Sequence, residues 1–85
     1  MTKRKGQWSV YILQCADKSL YTGITNDLGR RFAEHRSGNG SKYVRSRQAR
    51  KIVYSERFNS RSKALKRESD IKSLSRQEKL KLIKG

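Results

Sequence analysis

The chain has 85 residues, with 22 Lys+Arg against 7 Asp+Glu and a formal net charge of +15. That length holds one small domain and excludes a two-lobed enzyme with a cleft closed between lobes. Hydrophobic residues make up 33% of the chain, below the ~45–50% of ordinary globular domains, so the core is thin and the surface cationic. Charge of this sign on so small a chain points to polyanions, of which phosphate backbones are the commonest.

A single cysteine, Cys15, lies in an apolar run and excludes an intramolecular disulfide. One Cys and one His cannot complete a structural zinc site. The apolar stretch behind the basic start runs only from Trp8 to Leu13, too short for a signal peptide or a membrane span. A reduced, cytoplasmic setting is the expectation.

In chain order, residues 1–7 read as a basic arm and residues 8–85 as one domain. Trp8 to Cys15 is rich in β-branched and aromatic residues and predicts a strand. Ala16 to Ser19 is turn material, and Leu20 to Thr25 predicts the returning strand of a hairpin. Asn26 or Asp27 caps a helix to about Ser37, stopped by Gly38 and Gly40. Residues 41–51 have no clear period and many cations, which predicts a loop. Lys51 to Phe58 is a third strand. Asn59 or Ser60 caps a second helix to about Leu74, and Ser75 with Glu78 forms a capping box for a short last helix. The order ββαβαα predicts an α+β fold, a three-stranded antiparallel sheet flanked by helices. Its core is expected from Trp8, Val10, Ile12, Leu13, Leu20, Ile24, Leu28, Phe32, Ile52, Val53, Phe58, Leu65, Ile71, Leu74, Leu80 and Ile83.

The helices carry charge where apolar residues belong. Leu28, Arg31, Phe32 and His35 share one stripe of the first helix, while Arg30, Glu34 and Arg36 fall elsewhere. Ala64, Leu65, Glu68 and Ile71 share a stripe of the second. An inward carboxylate is costly unless a cation or hydrogen-bond donors meet it, so something positive must face Glu68. Taken singly, these residues have plain structural readings. Glu68 would pair with Arg31, His35 would cap or pack a helix end, and Tyr11 and Tyr21 would cover the sheet.

Taken in order, Ser9-Val10-Tyr11, Tyr21-Thr22-Gly23, Arg31 with His35, and Glu68 resemble the GIY-YIG endonuclease domain, over about residues 8–83. The closest likeness is to small members that are little more than the catalytic module. Position by position, the resemblance makes Tyr11 and Tyr21 the tyrosines of the two motifs, Arg31 the catalytic arginine, His35 the histidine after it, and Glu68 the metal-binding glutamate. The first motif has Ser9 in place of glycine, the second has Thr22 in its middle, and no asparagine follows Glu68 as in larger members.

The resemblance implies phosphodiester hydrolysis, which needs an activated water, stabilised phosphate charge and help for the leaving oxygen. Of the acids Asp17, Asp27, Glu34, Glu56, Glu68, Asp70 and Glu78, only Glu68 is well placed, which suits one Mg²⁺ or Mn²⁺ rather than a two-metal site. Arg31 would neutralise the phosphate and Tyr11 would take the proton of water, with Tyr21 and His35 positioning it or acting as alternate bases. An ordinary tyrosine titrates near ~10, so cationic surroundings and the metal are expected to lower it. Residues 3–5, then Lys42, Arg45, Arg47, Arg50 and Lys51, then Arg61, Lys63, Lys66 and Arg67 would contact a nucleic-acid backbone. Tyr43 would stack on a base or pack down on the domain.

The leading reading is a metal-dependent endonuclease acting on DNA, single-stranded or branched DNA included, in repair, recombination or uptake, with no membrane and no obligate protein partner evident. The alternative is a non-catalytic basic nucleic-acid-binding module, and a third is an RNA-associated basic protein. Metal-dependent cleavage of DNA separates the first two, and the nuclease reading also carries a geometric requirement. If Cys15 faces Leu20, Tyr11 and Tyr21 lie on opposite faces of the sheet. If Ala16 faces Leu20, or a bulge intervenes, they share a face. A shared active site requires the second arrangement, with Arg31, His35 and Glu68 opening onto it.

Overall fold

The computed structural model describes residues 7–85, so all of the expected basic arm except Gln7 lies outside the described residues. Three antiparallel strands, β1 (Trp8–Cys15), β2 (Leu20–Thr25) and β3 (Ala49–Phe58), form a sheet in the order β2-β1-β3. The helices are α1 (Leu28–Ser37), α2 (Lys42–Arg47), α3 (Arg61–Lys72) and α4 (Arg76–Lys84). The α+β architecture matches the expected one, with one additional short helix.

Alternation along the central strand divides the core in two. Tyr11, Leu13 and Cys15 point to one face, against Tyr21, Leu28, Phe32, Val44, Ala49 and Ile52, so α1 and α2 cover this side. Val10 and Ile12 point to the other, against Ala64, Ile71, Leu82 and Ile83 of α3 and α4. β1 is nearly inaccessible because it is buried on both faces and paired on both edges. The register of β1 against β3 shifts twice, between Ile12 and Leu13 and between Gln14 and Cys15. These irregularities set Ile52 opposite Leu13 and Ala49 opposite Cys15, keeping both on the α1–α2 side.

The helix boundaries follow local chemistry. The Asp27 side chain accepts from the Arg30 amide to open α1, and Gly38 closes it at φ 85 in the left-handed region. Ser60 opens α3 by accepting from the Lys63 amide, and the Ser75–Glu78 capping box opens α4. Residues 41–51, expected to be a loop, instead hold α2 and the start of β3. Ser41 caps α2 by accepting from the Tyr43 amide, and Val44 alone anchors it in the core. The helix ends at Gln48, whose φ of 62 breaks the helical path. The carbonyls of Arg47 and Gln48 accept from the Ala16 amide, tying this break to the hairpin. Leu65 and Leu80, expected in the core, are exposed at 37% and 39%. Ala64 and Ile71 face the sheet instead and leave Leu65 to one side, while Leu82 and Ile83 do the packing for α4. Among the described residues no helix is long and apolar enough to cross a membrane.

Candidate active site

The hairpin register decides whether the two tyrosines meet. Gln14 faces Leu20, Leu13 faces Tyr21, and Tyr11 faces Gly23, with no bulge. The Gln14–Leu20 pair lies one residue further into β1 than a Cys15–Leu20 pairing and two further than an Ala16–Leu20 pairing. The loop is correspondingly longer, closed by Cys15 and Ser19 and turned at Lys18, φ 69. Its parity puts Tyr11 and Tyr21 on one face, with ring centroids 6.3 Å apart.

Gly23 makes room for this arrangement. A Cβ there would stand 2.7 Å from the Tyr11 hydroxyl and 3.1 Å from the Tyr21 ring. The Tyr11 phenol therefore crosses over β2 at the one position without a side chain. The spacing Tyr21-Thr22-Gly23 is thus a steric requirement of a tyrosine on the neighbouring strand.

The buried end of α1 meets the phenol. Tyr11 Oη lies 2.9 Å from His35 Nε2, and His35 is 2% exposed. The Tyr21 ring stands edge-on to the imidazole at 5.4 Å. Burial and the nearby Arg31 charge hold His35 below its ordinary pKa, with Glu34 opposing, so the ring is neutral near pH 7. Burial pushes Tyr11 up to about 12, although the Arg31 guanidinium at the same hydroxyl works against it. Desolvation thus outweighs the arginine, so the protein's own cations do not by themselves supply the lowering expected of cationic surroundings together with a metal. Oη and Nε2 share this hydrogen bond, and the tautomer of the neutral imidazole decides which of the two donates. His35 Nδ1 is left buried without a hydrogen-bond partner.

The inward arginine and carboxylate do not pair with each other. Arg31 Nη1 lies 3.1 Å from Glu34 Oε1, while Glu68 Oε2 meets Lys72 Nζ at 3.3 Å. Glu34, placed off the packing stripe by its periodicity, reaches the site through this i,i+3 contact. Among the ion pairs of the described residues Glu68 is the least exposed partner, at 17%, and it lies within electrostatic reach of Tyr11. No group of three or more His, Cys, Asp or Glu side chains able to hold a metal occurs among the described residues.

α2 adds a neighbour the periodicity did not reveal. Its Tyr43 ring packs 5.9 Å from that of Tyr21 while remaining 39% exposed, so it both packs down and keeps an open edge. The Arg47 guanidinium covers Tyr43 at 3.9 Å and approaches Asp17 at 3.5 Å. Arg67 is bound by Glu56, which Tyr54 also hydrogen-bonds, at 2.9 Å for the shortest arginine contact. Lys42, Arg45, Arg50, Lys51 and Lys63 are exposed and form no ion pair among the described residues.

Residues 7–81 match the family model of the GIY-YIG catalytic domain. A UPF0213 protein of Natronomonas pharaonis is 53% identical over 74 residues, covering 87% of each chain. One from Staphylococcus saprophyticus is 50% identical, covering 87% of this chain and 90% of its own. The solution NMR structure of a UPF0213 protein from Bacillus halodurans is similar at a TM-score of 0.60 and 42% identity, covering 92% of this chain and 83% of that one. A second solution NMR structure, of a protein from E. faecalis, is similar at a TM-score of 0.61 and 36% identity, covering 95% of this chain and 88% of that one. The relatives are thus scarcely longer than the module itself. With its two tyrosines, Arg31, His35 and Glu68 in family order on one fold, this chain belongs to the GIY-YIG family of nucleases, among its small UPF0213 members.

Proposed function

We propose that the protein is a metal-dependent endonuclease that hydrolyses phosphodiester bonds in DNA. The observation that carries this reading is the 2.9 Å contact between Tyr11 Oη and a neutral, buried His35 Nε2. A tyrosine held near 12 is a poor base alone. It becomes effective when its own proton passes to His35 as it receives one from water. In the tautomer protonated at Nδ1, Nε2 is open to receive that proton. Arg31, held beside the phenol by Glu34, offers its planar fork to the phosphate as charge develops there. Tyr21 packs against both Tyr11 and His35 and keeps their rings in register.

The donor set fits one hard divalent cation. Glu68 supplies a half-buried carboxylate oxygen, and such ions accept few protein ligands while retaining water. Glu68 is the residue that would hold Mg²⁺ or Mn²⁺, whose charge would stabilise the phosphate and the leaving oxygen. The exposed Lys42, Arg45, Arg50, Lys51 and Lys63 would follow the DNA backbone. Arg47 and Arg67, already engaged by Tyr43 and Glu56, would contribute less.

The test is cleavage of end-labelled single-stranded, duplex and branched DNA with Mn²⁺, with Mg²⁺ and with chelator, for the wild type and Glu68→Ala. Metal-dependent cutting lost in Glu68→Ala, with DNA binding retained, is the expected result. Binding without cutting of any substrate under any metal would replace this reading with a non-catalytic nucleic-acid-binding module.

A further inference from the structure

His35 is enclosed from behind as well as in front. An ideal Cβ at Gly40 would stand 2.3 Å from His35 Nδ1, 2.9 Å from Cε1 and 3.0 Å from Cγ. Atoms do not approach so closely, so the backbone at 40 lies directly on the rear of the imidazole. Gly38 and Gly40 meet different needs. Gly38 adopts φ 85, as a helix-ending glycine does, whereas Gly40 is not among the residues with positive φ. At position 40 the glycine answers to space, not to backbone conformation.

We infer that Gly40 is a positioning residue for the Tyr11–His35 pair: its bare backbone is the backstop that sets the imidazole where Nε2 meets the phenol and shuts water away from Nδ1. This inference rests on the nuclease reading only for its catalytic consequence. The backstop has little freedom to retreat. On one side the Gly38 and Asn39 amides donate to the carbonyls of His35 and Glu34, fixing the loop to the last turn of α1. On the other, Ser41 caps α2, whose Val44 is buried in the cluster that contains Tyr11. With both ends of the loop held, an added methyl is accommodated by moving the ring. The ring is confined by Tyr21 at 5.4 Å and by Tyr11, so movement opens the contact to Nε2. A displaced ring also admits water to Nδ1, which is now buried and without a partner.

The experiment is a double-mutant cycle of Gly40→Ala and His35→Ala, read by thermal unfolding, by single-turnover cleavage and by imidazole ¹⁵N shifts. Gly40→Ala is expected to lower Tm by several degrees, and His35→Ala/Gly40→Ala to melt with His35→Ala alone, because removing the ring frees the space. In cleavage, Gly40→Ala is expected to lose at least tenfold in turnover with DNA affinity within about twofold, and to add no loss when His35 is absent. The His35 Nε2 shift should move as its contact with Tyr11 opens. An equal Tm loss from Gly40→Ala with and without His35 would overturn the proposal and assign Gly40 to the loop alone. Wild-type turnover and an unshifted imidazole in Gly40→Ala would overturn it as well. If the wild type cuts no DNA, the nuclease reading fails, while the melting cycle and the ¹⁵N shifts still decide the role of Gly40.

Discussion

Gly23 lies directly opposite Tyr11 across the hairpin, and a Cβ at 23 would come within 2.7 Å of the tyrosine hydroxyl. The two positions are a single steric unit split between strands. Gly23→Ala forces the phenol off β2 and away from His35. Overpacking of this kind costs about 1–3 kcal/mol. Urea unfolding should show that loss, and cleavage should fall more steeply than stability accounts for at temperatures where the variant is folded. A variant as stable and as active as the wild type would show that the phenol does not need the empty position.

The titration of His35 gives stability an acid limb. Its folded pKa is held below the ordinary value of 6.5 by burial and by Arg31. Below about pH 6.5 the unfolded chain takes up a proton that the folded chain resists, so stability is present above that pH and declines as pH falls through it. His35→Gln should flatten this part of the profile relative to the wild type, measured by urea midpoints from pH 5 to 8. An unchanged acid limb would mean the imidazole is as easily protonated folded as unfolded.

Tyr11 sets an alkaline limb of opposite sense. Its pKa rises from the ordinary 10.0 to about 12 on folding, mainly through burial. Between those values the unfolded chain releases a proton that the folded chain keeps, so stability falls as pH rises. The full contribution is on the order of 2–3 kcal/mol. Tyr11→Phe should remove this extra alkaline sensitivity, and parallel unfolding curves for both proteins above pH 10 would contradict the burial argument.

The proposed function divides the cations into one that acts on the phosphate, Arg31, and others that hold the backbone. Arg31→Ala should lose turnover far more than affinity, whereas Arg45→Ala or Lys51→Ala should weaken binding with turnover nearly intact. If Lys42, Arg45, Arg50, Lys51 and Lys63 each meet a phosphate, log K against log salt should fall with a slope of about −4.5 on duplex, and less steeply on single strands. Arg67→Ala should act on stability by leaving the part-buried Glu56 carboxylate with the Tyr54 hydroxyl but without its cation. Equal kinetic and binding effects across all these variants would erase the distinction.

Much of the fold follows from short-range chemistry. The caps at Asp27, Ser60 and Ser75 and the stop at Gly38 are each a local event; residue type marks Ser75 outright and narrows the others to Asn26 or Asp27, Asn59 or Ser60, and Gly38 or Gly40. What stayed hidden depends on long-range contact. α2 has one buried residue, Val44, and so shows no apolar period. Leu65 is apolar yet turned outward, because Ala64 and Ile71 face the sheet and the charged Glu68 takes the turn between. The site divides in the same way. Residue type and order single out Tyr11, Tyr21, Arg31, His35 and Glu68. The hairpin register, the Arg31–Glu34 contact and the seat of His35 on Gly40 are set by how separate elements meet.

In the proposed mechanism the Tyr11 hydroxyl is the group that moves the proton. Single-turnover cleavage of labelled DNA by the wild type and by Tyr11→Phe, each with saturating Mn²⁺ and with DNA affinity measured alongside, tests it most directly. The loss of general-base catalysis predicts a fall of about 10²–10⁴ in the cleavage rate with affinity within about twofold. Cleavage by Tyr11→Phe at the wild-type rate would contradict it.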